Sequence, residues 1–126
     1  MQLYSVRIKM VSSTKIYKNF KIETKHKDSI VLIGNFDGVH SGHQKLFSLA
    51  KKYKKKYSSK IGVLTFEPMP KMFFNNKLKN FRISSQKQKI DLLKKLKVDF
   101  VITKKFDKIF SKTKSNNFIK KILNDK

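Results

Sequence analysis

His40 and His43 are the residues of this chain best suited to chemistry on a phosphate. They follow the glycine-bearing stretch 34–38 and stand one helical step apart, so both can face the same anion. A neutral imidazole donates a hydrogen bond, and a protonated one adds positive charge where negative charge builds on phosphorus under attack. The spacing therefore predicts a triphosphate site. The alternative interpretation of so short a motif is a turn with two polar surface histidines.

The predicted elements around this motif are a strand before it and a helix after it. The apolar run Ile30–Ile33 is typical of a parallel strand covered on both faces. Gly34 and Gly38 allow a positive φ or a close approach of the backbone to a ligand, and Gly42 leaves no side chain where the helix begins. The first helical turn would present N–H groups and a positive dipole end to an anion. Helical spacing predicts an apolar face made of Leu46, Leu49, Ala50, Tyr53 and Tyr57.

Two further apolar runs, at residues 61–66 and 98–102, predict buried strands. Between them a helix is expected to begin near Ser84 or Ser85, either of which could cap it. The inner side of that helix is predicted to carry Ile90, Leu93 and Leu96. Alternation near the start of the chain predicts an N-terminal strand with one face formed by Tyr4, Val6, Ile8 and Met10. Residues 11–28 are polar, rich in lysine and weakly patterned.

Strands that alternate with helices at this spacing predict an α/β fold, with a parallel sheet and right-handed crossovers in a Rossmann-like arrangement. Ligands of such sheets bind beyond the carboxyl ends of the strands, which is where His40 and Pro68 fall. The predicted topology locates a site but does not identify its substrate.

The run IGNFDGVHSGHQ at residues 33–44 closely resembles the N-terminal FMN adenylyltransferase module of bacterial FAD synthetase, the bifunctional riboflavin kinase/FMN adenylyltransferase. Residues 64–70, LTFEPMP, are similar to the LTFEPHP segment of that family, with Met69 in the place of the histidine, and an aromatic pair follows at Phe73 and Phe74. Later segments, including Phe118, fit the same order. The resemblance covers roughly Ser29 to the C-terminus.

The resemblance implies a nucleotidyltransferase that joins AMP from ATP to FMN, giving FAD and pyrophosphate, with Mg2+ on the phosphates. It implies that His40 and His43 contact the ATP phosphates and are the catalytic residues. It also implies that an ATP pocket is built by Gly34, Asn35, Phe36, Asp37, Gly38 and Gly42. The flavin side would be bordered by Glu67, Pro68, Pro70, Phe73 and Phe74. No protein nucleophile is needed, because the FMN phosphate attacks the α-phosphorus directly and catalysis is mostly positioning and charge stabilisation.

Two features of the flavin side have a plainer interpretation. Met69 offers a poor donor and acceptor where a histidine would hold phosphate or orient the flavin, so reduced activity is one expectation and simple packing in a proline-flanked turn is the other. Phe66, Phe73 and Phe74 stand near a strand end, where aromatic residues are more often core or rim than ligand platforms.

The length of the chain, 126 residues, suits one small domain. We expect a single partial nucleotidyltransferase domain over 1–126, with an N-terminal strand and lysine-rich lead-in at 1–28 and the strand–helix units at 29–126. A short amphipathic helix is predicted from Phe118 to Leu123. The family continues with a further strand, a glycine- and aromatic-rich loop, a serine-rich motif ending in arginine, and a riboflavin kinase domain, and none of these is found in the sequence. The fold is therefore expected to be C-terminally incomplete, as a shortened gene product or as one piece of a split enzyme completed by a separate chain.

The formal charge of +23 and a pI near 10.3 would ordinarily suggest a nucleic-acid or membrane surface. Arginine, the better residue for bidentate phosphate and base recognition, occurs only at Arg7 and Arg82, and the lysines form no dominant block. We interpret the lysine content as the product of an AT-rich genome and expect no specific nucleic-acid or membrane partner.

A cytoplasmic protein is expected, since no apolar run reaches membrane-spanning length and no secretory signal is visible. The chain has no cysteine and no acidic cluster, so we expect no protein-bound metal site and a magnesium ion that arrives with ATP. His26, in a lysine-rich stretch, is expected on the solvated surface.

Three functions remain open from the sequence. The chain is an FMN adenylyltransferase, a catalytically impaired nucleotide-binding fragment, or a related nucleotidyltransferase with another phosphate-bearing substrate. The FDGVH context and the Phe-Glu-Pro segment favour flavin over another substrate.

Overall fold

The computed structural model describes residues 13–38, 41–68, 70–75 and 85–112. A 3-10 turn, Thr24–His26, lies between the first two strands. The strands and α-helices in chain order are β1 (Lys15–Tyr17), β2 (Ile30–Ile33), α1 (Ser41–Tyr57), β3 (Ile61–Glu67), α2 (Pro70–Phe74), α3 (Gln86–Lys95), β4 (Phe100–Lys105) and α4 (Lys108–Ser111).

The strands form one four-stranded parallel sheet in the order β1-β4-β3-β2. In register, Val63 of β3 lies between Leu32 of β2 and Val101 of β4. The predicted α/β class with a parallel sheet is confirmed. The strand expected at 61–66 forms over Ile61–Glu67, and the strand expected at 98–102 forms slightly later, over Phe100–Lys105.

The sheet is covered on both faces by apolar side chains. One cluster packs α1 and α3 against the sheet through Phe36, Phe47, Val63, Leu93 and Val101. The other cluster, on the opposite face, contains Tyr17, Leu64, Phe100 and Ile102. β3 is buried almost throughout, because it lies between two neighbouring strands and beneath both clusters.

Two expectations about covered faces were wrong. β2 is an edge strand, and Ile33 is 48% exposed, so an apolar run did not mean that both faces of the strand were covered. On the predicted apolar face of α1 only Ala50 is buried. The helix instead turns Phe47 toward the core, and Lys54 of the same helix forms an ion pair of 3.1 Å with Asp99. The residues of the predicted face that are exposed are Leu46, Leu49, Tyr53 and Tyr57.

The start of α3 confirms the capping prediction. Ser85 accepts a hydrogen bond from the N–H of Gln88, and the Gln88 side chain accepts one from the N–H of Ser85, which together form a capping box. Leu93 is fully buried, whereas Ile90 and Leu96 are partly buried. The inner side of the helix was therefore placed correctly.

The N-terminal lead-in was interpreted wrongly in one respect. Residues 11–28 were considered weakly patterned, yet β1 lies there and pairs with β4. Three residues of strand are too few to show an alternating pattern, and their position is fixed by pairing across the chain. The strand predicted near Tyr4 to Met10 and the helix predicted from Phe118 to Leu123 lie outside the described residues.

Candidate nucleotide site at the carboxyl edge of the sheet

The loop after β2 has the backbone geometry that its glycines suggested. Gly38 has a φ of 74°, a conformation that glycine adopts without strain. A Cβ at Gly34 would lie 3.2 Å from the ring of Phe36, so a side chain there would press on that ring. Gly34 donates its N–H to the carbonyl of Leu64 at 3.1 Å, which joins the loop to β3. Phe36 itself has a φ of 51°, so the loop turns sharply at this residue.

Phe36 packs against His43 from the side of the core. The Phe36 side chain is 1% exposed and packs on Phe47, with the ring centroids 5.5 Å apart. The imidazole of His43, which is half-buried in the first turn of α1, lies against the same ring at 5.0 Å between centroids. Phe36 therefore acts as an internal support of the predicted site, and its ring orients the histidine.

The N-terminus of α1 points a helix of 17 residues at this loop. Its first turn contains no acidic side chain, so the positive end of the dipole is not offset there by a carboxylate. Ser41 and Gly42 are exposed, which leaves the first turn open to solvent. This arrangement suits an anion. His40, the other predicted catalytic residue, lies outside the described residues.

The segment after β3 reaches the same edge of the sheet. Glu67 is joined to Pro68 by a cis peptide bond, and Pro70 begins α2. The carbonyl of Glu67 accepts a hydrogen bond of 3.0 Å from the N–H of Phe106, which follows β4. The carboxyl ends of β2, β3 and β4 lie at one edge of the parallel sheet, the edge that was predicted for the segments after β2 and β3. Met69 lies outside the described residues.

A group of phenylalanine rings, here called the phenylalanine cluster, extends from this segment. Phe106 lies at its centre, 5.3 Å from Phe73 and 5.8 Å from Phe74 between ring centroids. Phe74 is 70% exposed, so one edge of the cluster faces solvent. The remaining members of the phenylalanine cluster are Phe20, Phe66 and Phe110. The resemblance predicted Phe73 and Phe74 at this edge of the sheet. No pattern in the sequence indicated that Phe20, which follows β1, joins the cluster through Phe110.

An open groove of about 470 Å³ runs beside Glu67. Its lining residues come from the ends of β1, β3 and β4 and from α3, namely Ile16, Lys18, Glu67, Gln86, Ile90, Thr103 and Lys105. The groove has the volume range of small-molecule pockets, and Lys18 and Lys105 give it positive charge. No signal in the sequence indicated that these residues meet.

Lys89 is a second feature that the sequence did not reveal. It is 4% exposed, and its ammonium lies 2.9 Å from the hydroxyl of Thr65, which is itself 3.3 Å from the carbonyl of Asn35. The available signal was the spacing, since Lys89 stands four and seven residues before the inner-face Leu93 and Leu96.

His26 corrects a sequence prediction. It is 5% exposed, stacks on Phe100 at 4.7 Å between ring centroids, and its Nδ1 lies 2.6 Å from the Tyr17 hydroxyl. That hydroxyl also accepts a hydrogen bond of 3.2 Å from the N–H of Glu23. His26 is therefore an internal residue of the β1 side of the sheet, and it was misplaced because lysine-rich surroundings in sequence do not report three-dimensional packing.

Burial lowers the pKa of His26, and the nearby Lys60 and Lys25 lower it further. Because the unfolded chain takes up this proton near pH 6.5 and the folded chain only at lower pH, the contribution of His26 to stability is complete above about pH 6.5 and is lost as the pH falls toward the folded pKa. We expect urea midpoints of the wild-type protein to fall between pH 7.5 and 5.5, and those of His26→Gln to fall less. An equal fall in urea midpoint with pH in the two proteins would contradict this prediction.

The described residues contain no group of three or more His, Asp or Glu side chains placed to hold a metal ion. Within the same ranges, no helix has both the length and the apolar character that crossing a bilayer requires.

A family model described as FAD synthetase matches residues 22–126. The chain belongs to the FAD synthetase family. This match includes the loop after β2, α1, and the segment after β3, so His43 and the Glu67–Pro68 segment lie within the FAD synthetase region. The predicted family membership is confirmed.

The chain is similar to bifunctional riboflavin kinase/FMN adenylyltransferases of three bacteria. Identity is 42% over 98 residues for Buchnera aphidicola from Schizaphis graminum, covering 78% of this chain and 31% of that protein. It is 38% for Haemophilus influenzae, covering 72% and 30%, and 33% for Escherichia coli K12, covering 75% and 30%. The chain therefore spans about a third of the length of the curated relatives it matches.

Among solved structures, the chain resembles one titled as a macrolide-efflux protein from Streptococcus pneumoniae. The TM-score is 0.71 at 31% identity, and the match covers 84% of this chain and 36% of that one. This similarity supports the fold of the FAD synthetase region.

Proposed function

We propose that this chain carries the FMN adenylyltransferase site, which transfers AMP from ATP to FMN to give FAD and pyrophosphate. One observation carries the proposal. In a member of the FAD synthetase family, the helix N-terminus with His43 and the Glu67–Pro68 segment with its phenylalanine cluster share the carboxyl edge of one parallel sheet. We propose that residues 1–126 form a single partial nucleotidyltransferase domain, in which the strand–helix units at 29–126 supply the helix N-terminus and the Glu67–Pro68 segment.

ATP is proposed to bind at the loop after β2 and the first turn of α1. The triphosphate would accept hydrogen bonds from the backbone of the first turn and from His43, which Phe36 holds in place. Gly34 and Gly38 let the loop adopt its turn beside the nucleotide. The proposed ATP-contacting residues are Gly34, Asn35, Phe36, Asp37, Gly38, His40, Gly42 and His43.

FMN is proposed to bind on the other side of the same edge, bordered by Glu67, Pro68, Pro70, Phe73 and Phe74. The exposed face of Phe74 suits a planar aromatic ring system, and the groove beside Glu67 offers further room. Lysine side chains at this groove would attract the FMN phosphate.

In the proposed reaction an FMN phosphate oxygen attacks the α-phosphorus of ATP. A new P–O bond forms, the bond between the α-phosphorus and the bridging oxygen breaks, and pyrophosphate leaves with that oxygen. Magnesium would arrive with ATP, be held mainly by phosphate oxygens, and offset their charge. The part of the protein is to place the two phosphates and to donate hydrogen bonds from His43 and the helix N-terminus as charge develops.

Binding and turnover are proposed separately, because the chain spans about a third of the length of its curated relatives. The second candidate is a part that binds nucleotide and acts with a separate chain. We propose that either form acts in the cytoplasm.

Equilibrium binding tests the proposal. We expect ATP with magnesium to bind the purified chain, pyrophosphate to compete with it, and FMN to bind independently with quenching of its fluorescence. His43→Ala should weaken ATP binding and leave FMN binding unchanged, whereas Lys52→Ala, on the exposed side of α1, should change neither. Absence of ATP binding by folded protein would contradict the proposal, and ATP binding equal in His43→Ala and wild-type protein would remove His43 from the site.

A further inference from the structure

We propose that Lys89 is a positioning residue for the loop after β2, and that it acts through Thr65. The inference deepens the proposed function, because that loop is the proposed ATP loop. It assigns a role to a buried cation that lies on α3, an element that carries none of the proposed catalytic residues.

The three groups form a chain of contacts across three elements. Lys89 of α3 is 4% exposed and Thr65 of β3 is 0% exposed, with 2.9 Å between the ammonium Nζ and the hydroxyl Oγ1. The same Oγ1 lies 3.3 Å from the backbone carbonyl oxygen of Asn35, in the loop. The contacts are buried or partly buried, so water does not compete freely for them.

The chemistry of the groups fixes the direction of this chain. A lysine ammonium has donors and no acceptor, so Oγ1 of Thr65 must accept from Lys89. The hydroxyl hydrogen of Thr65 is then left to point toward the Asn35 carbonyl, which can only accept. Without Lys89 the Thr65 hydroxyl could rotate, and its hydrogen would no longer be directed at the Asn35 carbonyl.

The contact with Asn35 lies at the point where the loop is most constrained. Gly34, just before Asn35, is tied to the carbonyl of Leu64, and Phe36, just after it, has a φ of 51°. The second hydrogen bond, to the Asn35 carbonyl, therefore holds the peptide group that joins Asn35 to Phe36. Since the ring of Phe36 contacts the imidazole of His43, the orientation of this peptide is passed on to the proposed site.

The test compares four single variants of the full chain and the double variant Lys89→Met/Thr65→Val. Lys89→Met and Thr65→Val remove the donor and the hydroxyl with little change of volume, Thr65→Ser keeps the hydroxyl, and Lys87→Met removes an exposed lysine from the same helix as a matched control. Two readouts are measured: the hydrogen exchange of the amides at residues 34–38, without any ligand, and the Kd for ATP with magnesium. Thermal unfolding confirms that each variant is folded.

We expect Lys89→Met and Thr65→Val each to raise exchange in the loop about tenfold, the size expected for loss of one hydrogen bond to a charged group. The double variant should raise exchange in the loop no more than the single variant with the larger effect, because both substitutions act on one chain of contacts. Thr65→Ser and Lys87→Met should match the wild-type protein. ATP affinity should fall with the rise in loop exchange.

Unchanged loop exchange in Lys89→Met or in Thr65→Val would overturn the proposal, as would equal effects of Lys89→Met and Lys87→Met. Changed exchange with unchanged ATP affinity would overturn the link between the loop and ATP. If the wild-type protein does not bind ATP, the proposed function fails, and the exchange measurement still decides whether Lys89 positions the loop.

Discussion

Replacing His43 by alanine is expected to lower the rate of FAD formation about 100- to 1,000-fold while the protein remains folded, the range found when one preorganised donor to a transition state is removed. His43 stands in the first turn of α1, half-buried against Phe36, so its ring is held in place before substrate binds. The loss should appear mainly in kcat, because the hydrogen bond strengthens as charge develops on the phosphate oxygens.

The matched control is Lys52→Ala, an exposed change on the same helix that should leave the rate unchanged. His43→Asn keeps a side-chain donor and should recover part of the lost rate. A rate for His43→Ala within threefold of the wild-type value would contradict the role of the imidazole. A variant that loses activity together with its cooperative unfolding transition would point instead to a structural role against Phe36.

Replacing Gly62 by alanine is expected to lower the free energy of unfolding by about 3 kcal/mol, the upper part of the range for overpacking a core. Gly62 lies in β3 beside Phe100 of β4, and a Cβ there would fall 2.1 Å from Cζ of the Phe100 ring. The ring cannot easily move aside, because it is fully buried between Tyr17 and His26. Urea unfolding of the wild-type and Gly62→Ala proteins measures the loss.

A second substitution shows whether this contact is the cause. Phe100→Leu alone should destabilise the protein by leaving a cavity, but in the Gly62→Ala background it should cost much less, because the smaller side chain makes room for the new methyl group. Additive losses would mean that the clash with Phe100 does not explain the effect of Gly62→Ala.

The strands around the site were predictable, because a long apolar run such as that of β3 forms a buried strand whichever strands pair with it. The position of each strand within the sheet was not. β2 lies at the edge with Ile33 half-exposed, and β1 is only three residues long. The rotation of α1 also depends on packing: the contact between Phe36 and Phe47 selects the buried face, although other faces of the helix carry as many apolar residues.

The candidate site also contains features that follow from local sequence and features that depend on long-range contacts. The positive φ of Gly38 and a helix that begins beside Gly42 follow from local sequence, and these parts were predicted correctly. Lys89 and the groove depend on contacts between residues far apart in the chain, which no local pattern encodes. His26 shows the same limit, since its burial arises from Phe100, 74 positions later in the sequence.

Turnover by the purified wild-type chain with FMN, ATP and magnesium, in which FAD and pyrophosphate are measured together, tests the proposed function directly. We expect both products to form in equal amounts and FAD formation to require all three components. No FAD from folded protein at saturating concentrations of both substrates would contradict the claim that this chain transfers AMP to FMN.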